Sequence, residues 1–384
     1  MNATDTRLGQ YFGSRRERGR DGLPTLSVTL DRGVVKRDSL ERKTETALAP
    51  QEHLTVRPGD IAYNMMRMWQ GASGLVEEEA LVSPAYVVLS PKEGVDPRYA
   101  AYLFKLPEMV HRFWSYSYGL TGDRLRLYYN DFKRIPHEFP PLREQEKIAE
   151  ILSTWDKAIE TTENLLANAE AERRALTRQL LFGKTPRRGW KSHRLDQLAE
   201  INPRRPRDLP EIVSFLSMES VTERGEIRSA QTRPTHEVSK GYTSFIEGDV
   251  LVAKITPCFE NGKGCHAIGL VNKVGFGSTE FHVLRAVDPR DQRLLFHLTN
   301  THHFRARGEV NMTGSAGQRR VPADYVASYT LPLPDDPLER REVAGILDTA
   351  GETITVLERE RDALHNEKRA LMNQLLTGKR RVSL

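Results

Sequence analysis

Apolar residues recur at three- and four-residue spacing over two long stretches of the chain. In the first they are Ile148, Leu152, Trp155, Ile159, Leu166, Leu176 and Leu180; in the second they are Val343, Leu347, Ile354, Leu357, Leu364, Leu371 and Leu375. That rhythm predicts two long amphipathic helices. The stretches are copies of one another. Ile148-Ala149-Glu150-Ile151-Leu152 returns 195 positions later, without a gap, as Val343-Ala344-Gly345-Ile346-Leu347, and Arg174 to Lys184 returns as Arg369 to Lys379. A repeat of about half the chain predicts two copies of one design. A continuous helix from Arg143 to Phe182 would be roughly 60 Å long. Its apolar stripe is narrow, as in a coiled-coil seam, and the second copy is a ready partner in either a parallel or an antiparallel sense. Equivalent positions differ in size: Trp155 matches Ala350, Thr162 matches Leu357 and Ala169 matches Leu364. Arg173 and Lys368 share one place in the stripe, where a charge costs stability unless it snorkels or finds a partner.

Before and between the helices the pattern is mixed. Strand-like runs at Leu26–Leu30 and Ala85–Leu89 are separated by turn signals such as Arg57-Pro58-Gly59-Asp60. Tyr99, Leu103, Leu106 and Val110 predict one helix from Pro97 to Trp114. The proline-rich Ile135 to Pro141 is extended, and Leu142-Arg143-Glu144-Gln145-Glu146 opens the long helix. Gly183 is expected at its C′ position, with Pro186 preventing continuation. The second half echoes the first: Glu247-Gly248-Asp249-Val250 parallels Pro58-Gly59-Asp60-Ile61, Asp288-Pro289-Arg290 parallels Asp96-Pro97-Arg98, and Met312-Thr313-Gly314 parallels Leu120-Thr121-Gly122. These anchors drift in spacing whereas the helices keep one offset, so variation is concentrated in the domains.

The expected fold class is therefore α+β. Two globular mixed α/β domains, 1–141 and 185–334 with a linker at 184–190, alternate with two helical segments, 142–184 and 335–384. The helices pair within the chain as a coiled coil and give it a pseudo-twofold plan.

Charge changes this picture modestly. The net charge of +5 and pI of 9.1 permit a polyanionic partner without requiring one. Glu residues populate the helices, which leaves basic clusters at Arg15, Arg16, Arg18 and Arg20 and at Arg204, Arg205 and Arg207. No apolar run of membrane-spanning length and no apolar signal core are present in the sequence, which points to the cytoplasm. Cys258 and Cys265 lack the close pairing of a zinc module and read as free thiols.

Several motifs carry a resemblance. Pro140-Pro141-Leu142-Arg143-Glu144-Gln145-Glu146-Lys147-Ile148, the terminus Gln179-Leu180-Leu181-Phe182-Gly183-Lys184 and their second copy resemble the two conserved regions of the specificity subunit of type I restriction-modification systems. Tyr63 to Gly71 with Val82 to Tyr86, and Ile255 to Lys263, are similar to motifs of that family's target-recognition domains. The resemblance implies a non-catalytic reader of double-stranded DNA. Each globular domain would read half of a bipartite target, and the helices would set the unread spacer. It further implies two modification subunits and additional restriction subunits as partners. S-adenosylmethionine, ATP and Mg would be bound by those partners, and no cofactor or metal by this chain.

Residue chemistry points the same way, because base edges are read by hydrogen-bonding side chains while Arg, Lys, Ser and Thr fix register on phosphates. The DNA-binding candidates of the first domain are Asn64, Arg67 and Gln70 near one turn and Thr121, Arg124 and Arg126 on a Gly-bounded loop. Those of the second are Lys254, Thr256, Asn261 and Lys263, then Thr313, Ser315, Gln318, Arg319 and Arg320 on the equivalent loop. The competing reading is a coiled-coil adaptor that binds proteins and no DNA.

Catalytic readings fare worse. An adenine methyltransferase needs an Asn or Asp before Pro-Pro-aromatic and a Gly-rich cofactor turn, and neither occurs. Gly183-Lys184-Thr185 resembles the end of a P-loop, but Arg178 stands where its first glycine belongs. His297, His302 and His303 lack acidic or thiol companions at ligand spacing. Asp249, Glu280 and Lys254 make a weak nuclease-like set.

Overall fold

The computed structural model describes residues 6–40, 48–182, 190–315 and 317–383. Contacts divide the chain into two compact units, residues 1–163 with 360–384, and residues 164–359. The division cuts through each long helix instead of falling at its ends, because each unit takes part of both.

Unit 1 is built on an antiparallel sheet of β1 (Phe12–Arg15), β2 (Ile61–Asn64), β3 (Ser73–Leu75) and β4 (Tyr86–Pro91), in the order β1-β4-β2-β3. Ile61, Ala62 and Tyr63 of β2 are all buried, as befits a central strand covered on both faces. Helices α1 (Pro97–Leu103) and α2 (Pro107–Ser115) occupy the stretch expected to form one helix. The break falls at Leu106, whose ψ of 137° is extended. Pro107 drives its predecessor out of the helical region and then suits the first helical position of α2. Tyr99, Leu103 and Leu106 remain on the buried side, so the apolar rhythm was sound although the helix is broken. The strand-like runs shift by a few residues, to Leu26–Val28 and Tyr86–Pro91.

Unit 2 repeats the sheet with β5 (Ala199–Ile201), β6 (Val250–Ala253), β7 (Gly264–His266) and β8 (Phe281–Ala286), in the corresponding order β5-β8-β6-β7. The register is conserved: Asn64 pairs with Tyr86 as Ala253 pairs with Phe281. Helices α4 (Gln292–Thr299) and α5 (His302–Val310) follow; α3 is the long helix that ends unit 1's sequence segment, Leu142–Leu181. A second four-stranded sheet, formed by Ile212–Leu216, Gln231–Pro234, Thr243–Ile246 and Val274–Gly277, is confined to unit 2. Among its described residues, unit 1 has only two-stranded ladders outside its main sheet, which accounts for the drifting spacings between otherwise parallel motifs.

The matched turns before β2 and β6 share a design. Gly59 and Gly248 have φ of 90° and 91°, a conformation that favours glycine. The following aspartates are 2% exposed. Asp60 receives a two-point contact from Arg15 at 2.7 and 3.1 Å, and Asp249 receives one from Arg285 at 3.0 and 2.8 Å. The guanidinium comes from β1 in one unit and β8 in the other. Asp249 is thereby a structural clamp at the start of β6, whereas Lys254 and Glu280 lie at the other end of the sheet; no nuclease-like set is assembled.

The long helices α3 and α6 (Pro337–Leu376) pair within each unit. In unit 1, Ile148, Ala149 and Leu152 pack with Leu375 and Leu376. Ion pairs run Glu144 to Arg381, Asp156 to Lys368 and Glu163 to His365, so numbers rise on one helix as they fall on the other. In unit 2, Leu180 and Leu181 pack with Val343, Ala344 and Leu347. The pairing is antiparallel. Equivalent positions such as Trp155 and Ala350 consequently lie in different units. Lys368 resolves its place in the stripe by pairing with Asp156 and lying 5.2 Å from the Tyr102 ring centre. Arg173 makes no such pair, because the residue matching Asp156 is Gly351; burial first, and then Arg224, lower the pKa of its guanidinium.

The start of each helix is tied to its sheet domain at one repeat-related position. Gln145 accepts from the Asp96 amide at 3.0 Å and donates to the carbonyls of Gly94 and Pro140. Its counterpart Arg340 holds Asp291 at 2.8 and 2.7 Å and donates to the carbonyls of Pro334 and Asp335. Gly183 and 184–189 lie outside the described residues. The matching Gly378 has φ of 71° and donates to Leu375 at 3.2 Å.

Candidate nucleic-acid interface

In each unit the central strand runs out into a turn, and a later loop folds back to pair with it. In unit 1, residues after β2 meet the loop 118–126: the Leu127 amide donates to Met65 at 2.9 Å, while Tyr118 and Arg126 exchange backbone hydrogen bonds at 3.1 and 2.9 Å. In unit 2, residues after β6 meet the loop 313–320. The Val321 amide donates to Lys254 at 2.8 Å, the Thr256 amide to Arg319 at 3.0 Å, and Thr313 pairs with Arg320. Glycine permits the tight return in both, since a Cβ on Gly119 would meet the Arg124 carbonyl at 2.1 Å and one on Gly314 would meet the Gln318 carbonyl at 2.9 Å. The two sequence-separated groups of candidates are therefore joined within each unit.

Their side chains are not equally available. Arg67, Gln70, Thr121, Arg124, Arg126, Asn261, Thr313, Ser315 and Gln318 are exposed. Others have structural partners: Asn64 accepts from the Met66 amide at 3.0 Å, Thr256 donates to Glu260 at 2.7 Å, and Lys263 donates to the Met218 carbonyl at 3.3 Å. Arg319 lies 3.7 Å from Glu260. Arg320 binds both oxygens of Glu280 at 3.0 and 2.9 Å, and that pairing holds the Glu280 carboxyl below its usual pKa. Lys254 is half-buried close to Glu280.

Sequence reasoning missed part of the surface. Beside the unit 1 loop lies a concavity of about 780 Å³ lined by residues that include Arg16, Tyr86, Tyr118, Tyr128, Lys133 and Arg134. Tyr118 is 58% exposed and its ring centre is 5.6 Å from that of Tyr128. Tyr118 stands just before the Gly-bounded loop and Tyr128 just after it, with Lys133 and Arg134 close behind. Leu120, at the loop tip, is fully exposed. Of the early arginine cluster, Arg15 is committed to Asp60 and Arg20 to Glu79, which leaves Arg16 at the concavity.

The histidines set aside as catalytic candidates have protein partners. His297 contacts Asp348 at 2.7 Å and His303 contacts the Tyr329 hydroxyl at 2.6 Å. Among the described residues no three potential metal ligands converge. Cys258 and Cys265 are free, and burial pushes the Cys265 thiol up to about 12.

A sheet domain that presents a paired-loop surface, followed by a long helix, and the whole repeated once, defines a duplicated α+β architecture. Residues 38–171 match the type I restriction modification DNA specificity domain. The specificity subunit of the type I restriction enzyme EcoEI from Escherichia coli is 39% identical over 159 residues, covering 40% of this chain and 27% of that relative. The MjaVIII specificity subunit of Methanocaldococcus jannaschii is 22% identical over 349 residues, or 83% of this chain and 79% of that one. The crystal structure of a type I restriction-modification S subunit from M. genitalium shares the fold, with a TM-score of 0.59 at 13% identity over 98% and 97% of the two chains. Residues 38–171 are thus similar to a DNA specificity domain of type I restriction-modification systems, the chain spans about a quarter of the length of the curated relative it matches at 39% identity, and over its whole length it shares the fold of an S subunit. Among the described residues no helix is long and apolar enough to cross a membrane.

Proposed function

We propose that the chain is the DNA-reading subunit of a type I restriction-modification complex, with each unit recognising one half of a bipartite sequence. The observation that carries the reading is the duplicated paired-loop surface, polar and basic in both units and mounted on sheets of the same order and register. An adaptor for proteins has no need to present a phosphate-compatible loop twice. The helices set the unread spacing and dock two modification subunits, and restriction subunits complete the cytoplasmic assembly. In this reading S-adenosylmethionine, ATP and Mg reside on those partners, and the chain itself performs no chemistry. Adenine methylation mapped across a host genome with and without this chain tests it. Loss of one bipartite motif on deletion is expected, whereas an unchanged methylation pattern refutes the proposal.

A further inference from the structure

Each recognition loop ends on an arginine at the same place in the fold: Arg126 immediately before Leu127, and Arg320 immediately before Val321. The surroundings of the two arginines differ. Arg320 donates from Nε to Glu280 Oε2 at 3.0 Å, from Nη2 to Oε1 at 2.9 Å, and from Nη1 to the Gln318 carbonyl at 3.2 Å. The conserved strand register puts Ala85 at the place of Glu280, since Ala85 precedes Tyr86 as Glu280 precedes Phe281. Among the described residues, the Arg126 side chain meets only the Tyr128 hydroxyl, at 3.4 Å.

A guanidinium carries five N–H groups in one plane. Three of those on Arg320 are engaged, and one remains on each Nη. Its side chain keeps 43% of its exposure. Glu280 thus fixes the plane of the fork while leaving two donors for an outside acceptor. A phosphate accepts hydrogen bonds over a broad range of directions, and the neighbouring carboxylate disfavours its approach. Guanine is different: O6 and N7 form a paired acceptor edge in the major groove that rewards a planar, pre-oriented fork.

We propose that Arg320, oriented by Glu280, reads a guanine in the half-site bound by unit 2 by donating from Nη1 and Nη2 to O6 and N7. The inference rests on the DNA-reading function proposed above. Glu280 is a positioning residue that touches no base. Arg126, lacking the clamp, supplies no equivalent fixed fork.

The test is selection of duplexes from a randomised pool by the full chain assembled with its modification subunits, repeated for Glu280→Gln, Arg320→Lys and Arg320→Ala. The wild type is expected to select one G·C pair whose replacement by 7-deazaguanine weakens binding roughly tenfold to a hundredfold, and Arg320→Ala is expected to be indifferent to that replacement. Glu280→Gln and Arg320→Lys keep side-chain size or charge; both should relax preference at that pair alone. A uniform loss across all sequences with a shallower salt slope would identify a phosphate contact and overturn the proposal. A wild-type chain that selects no sequence defeats the DNA-reading function itself. Selection of an unchanged motif by all three variants defeats only the role of Arg320.

Discussion

Gln145 and Arg340 occupy one position of the duplicated design and perform one task with different chemistry. The neutral amide of unit 1 satisfies three backbone groups, whereas the cation of unit 2 is committed to the buried Asp291 and two carbonyls. The same contrast recurs along the helix stripe, where Lys368 has a carboxylate partner and its counterpart Arg173 has none among the described residues. It recurs again at the loop ends, where Arg320 is clamped and Arg126 is not. Duplication has preserved where the domain is fastened, and the residues that do the fastening have diverged under that constraint.

The largest effect should come from breaking the two fastenings. Arg340 and Asp291 are 5% and 1% exposed, so Arg340→Ala strands a buried carboxylate and should destabilise unit 2 by about 3–5 kcal/mol. Gln145→Ala strands only neutral groups and should cost unit 1 about 1–3 kcal/mol. Hydrogen exchange resolved by unit measures both, and equal losses would remove the distinction between an ionic and a neutral fastening.

Acid should destabilise unit 1 through His137. Burial, then the neighbouring Arg112, lower its pKa to about 4, below the unfolded value of about 6.5. The neutral ring is favoured in the fold, so its contribution is intact above about pH 6.5 and declines as pH falls towards 4. Up to about 3 kcal/mol is at stake in unit 1. His137→Gln should flatten that decline in a pH series of unit 1 stability, and an unaltered slope would show that His137 is not its source.

The stripe gives the smallest effects and the clearest contrast of sign. Lys368→Met removes a partner from Asp156 and should cost about 1 kcal/mol, while Arg173→Met replaces a half-buried cation that Asp348 only partly offsets and should be neutral or stabilising by up to about 1 kcal/mol. Thermal melts of the two variants suffice. Loss of stability in both would mean that Arg173 has a compensating role in the assembled protein.

Much of this architecture was legible because it is periodic. The stripe from Ile148 to Leu180 and its copy placed both helices, and drifting anchors located the variable domains. The helix expected from Pro97 to Trp114 failed locally, at Leu106, because the steric demand of Pro107 outweighed an unbroken apolar rhythm. The sense of helix pairing was not legible, since a stripe has the same spacing in either direction and the sense shows in tertiary pairs such as Asp156 with Lys368 and Glu144 with Arg381. At the recognition surface, Arg and Thr in Gly-bounded loops were visible, but the tertiary partners were not. Glu280 is 40 positions from Arg320, and nothing in the sequence announces that strand register brings them together. Tyr118 and Tyr128 were passed over because exposed aromatics cannot be told from core aromatics by spacing alone.

The central claim is that two independent readers share one chain. Duplex selection with the full assembly, comparing Arg124→Ala/Arg126→Ala in unit 1 with Gln318→Ala/Arg319→Ala in unit 2, tests it most directly. Two specified segments separated by an unread spacer are expected, with each double substitution altering one segment and leaving the other and the spacer unchanged. A single segment, or joint loss of both from either substitution, would contradict the account.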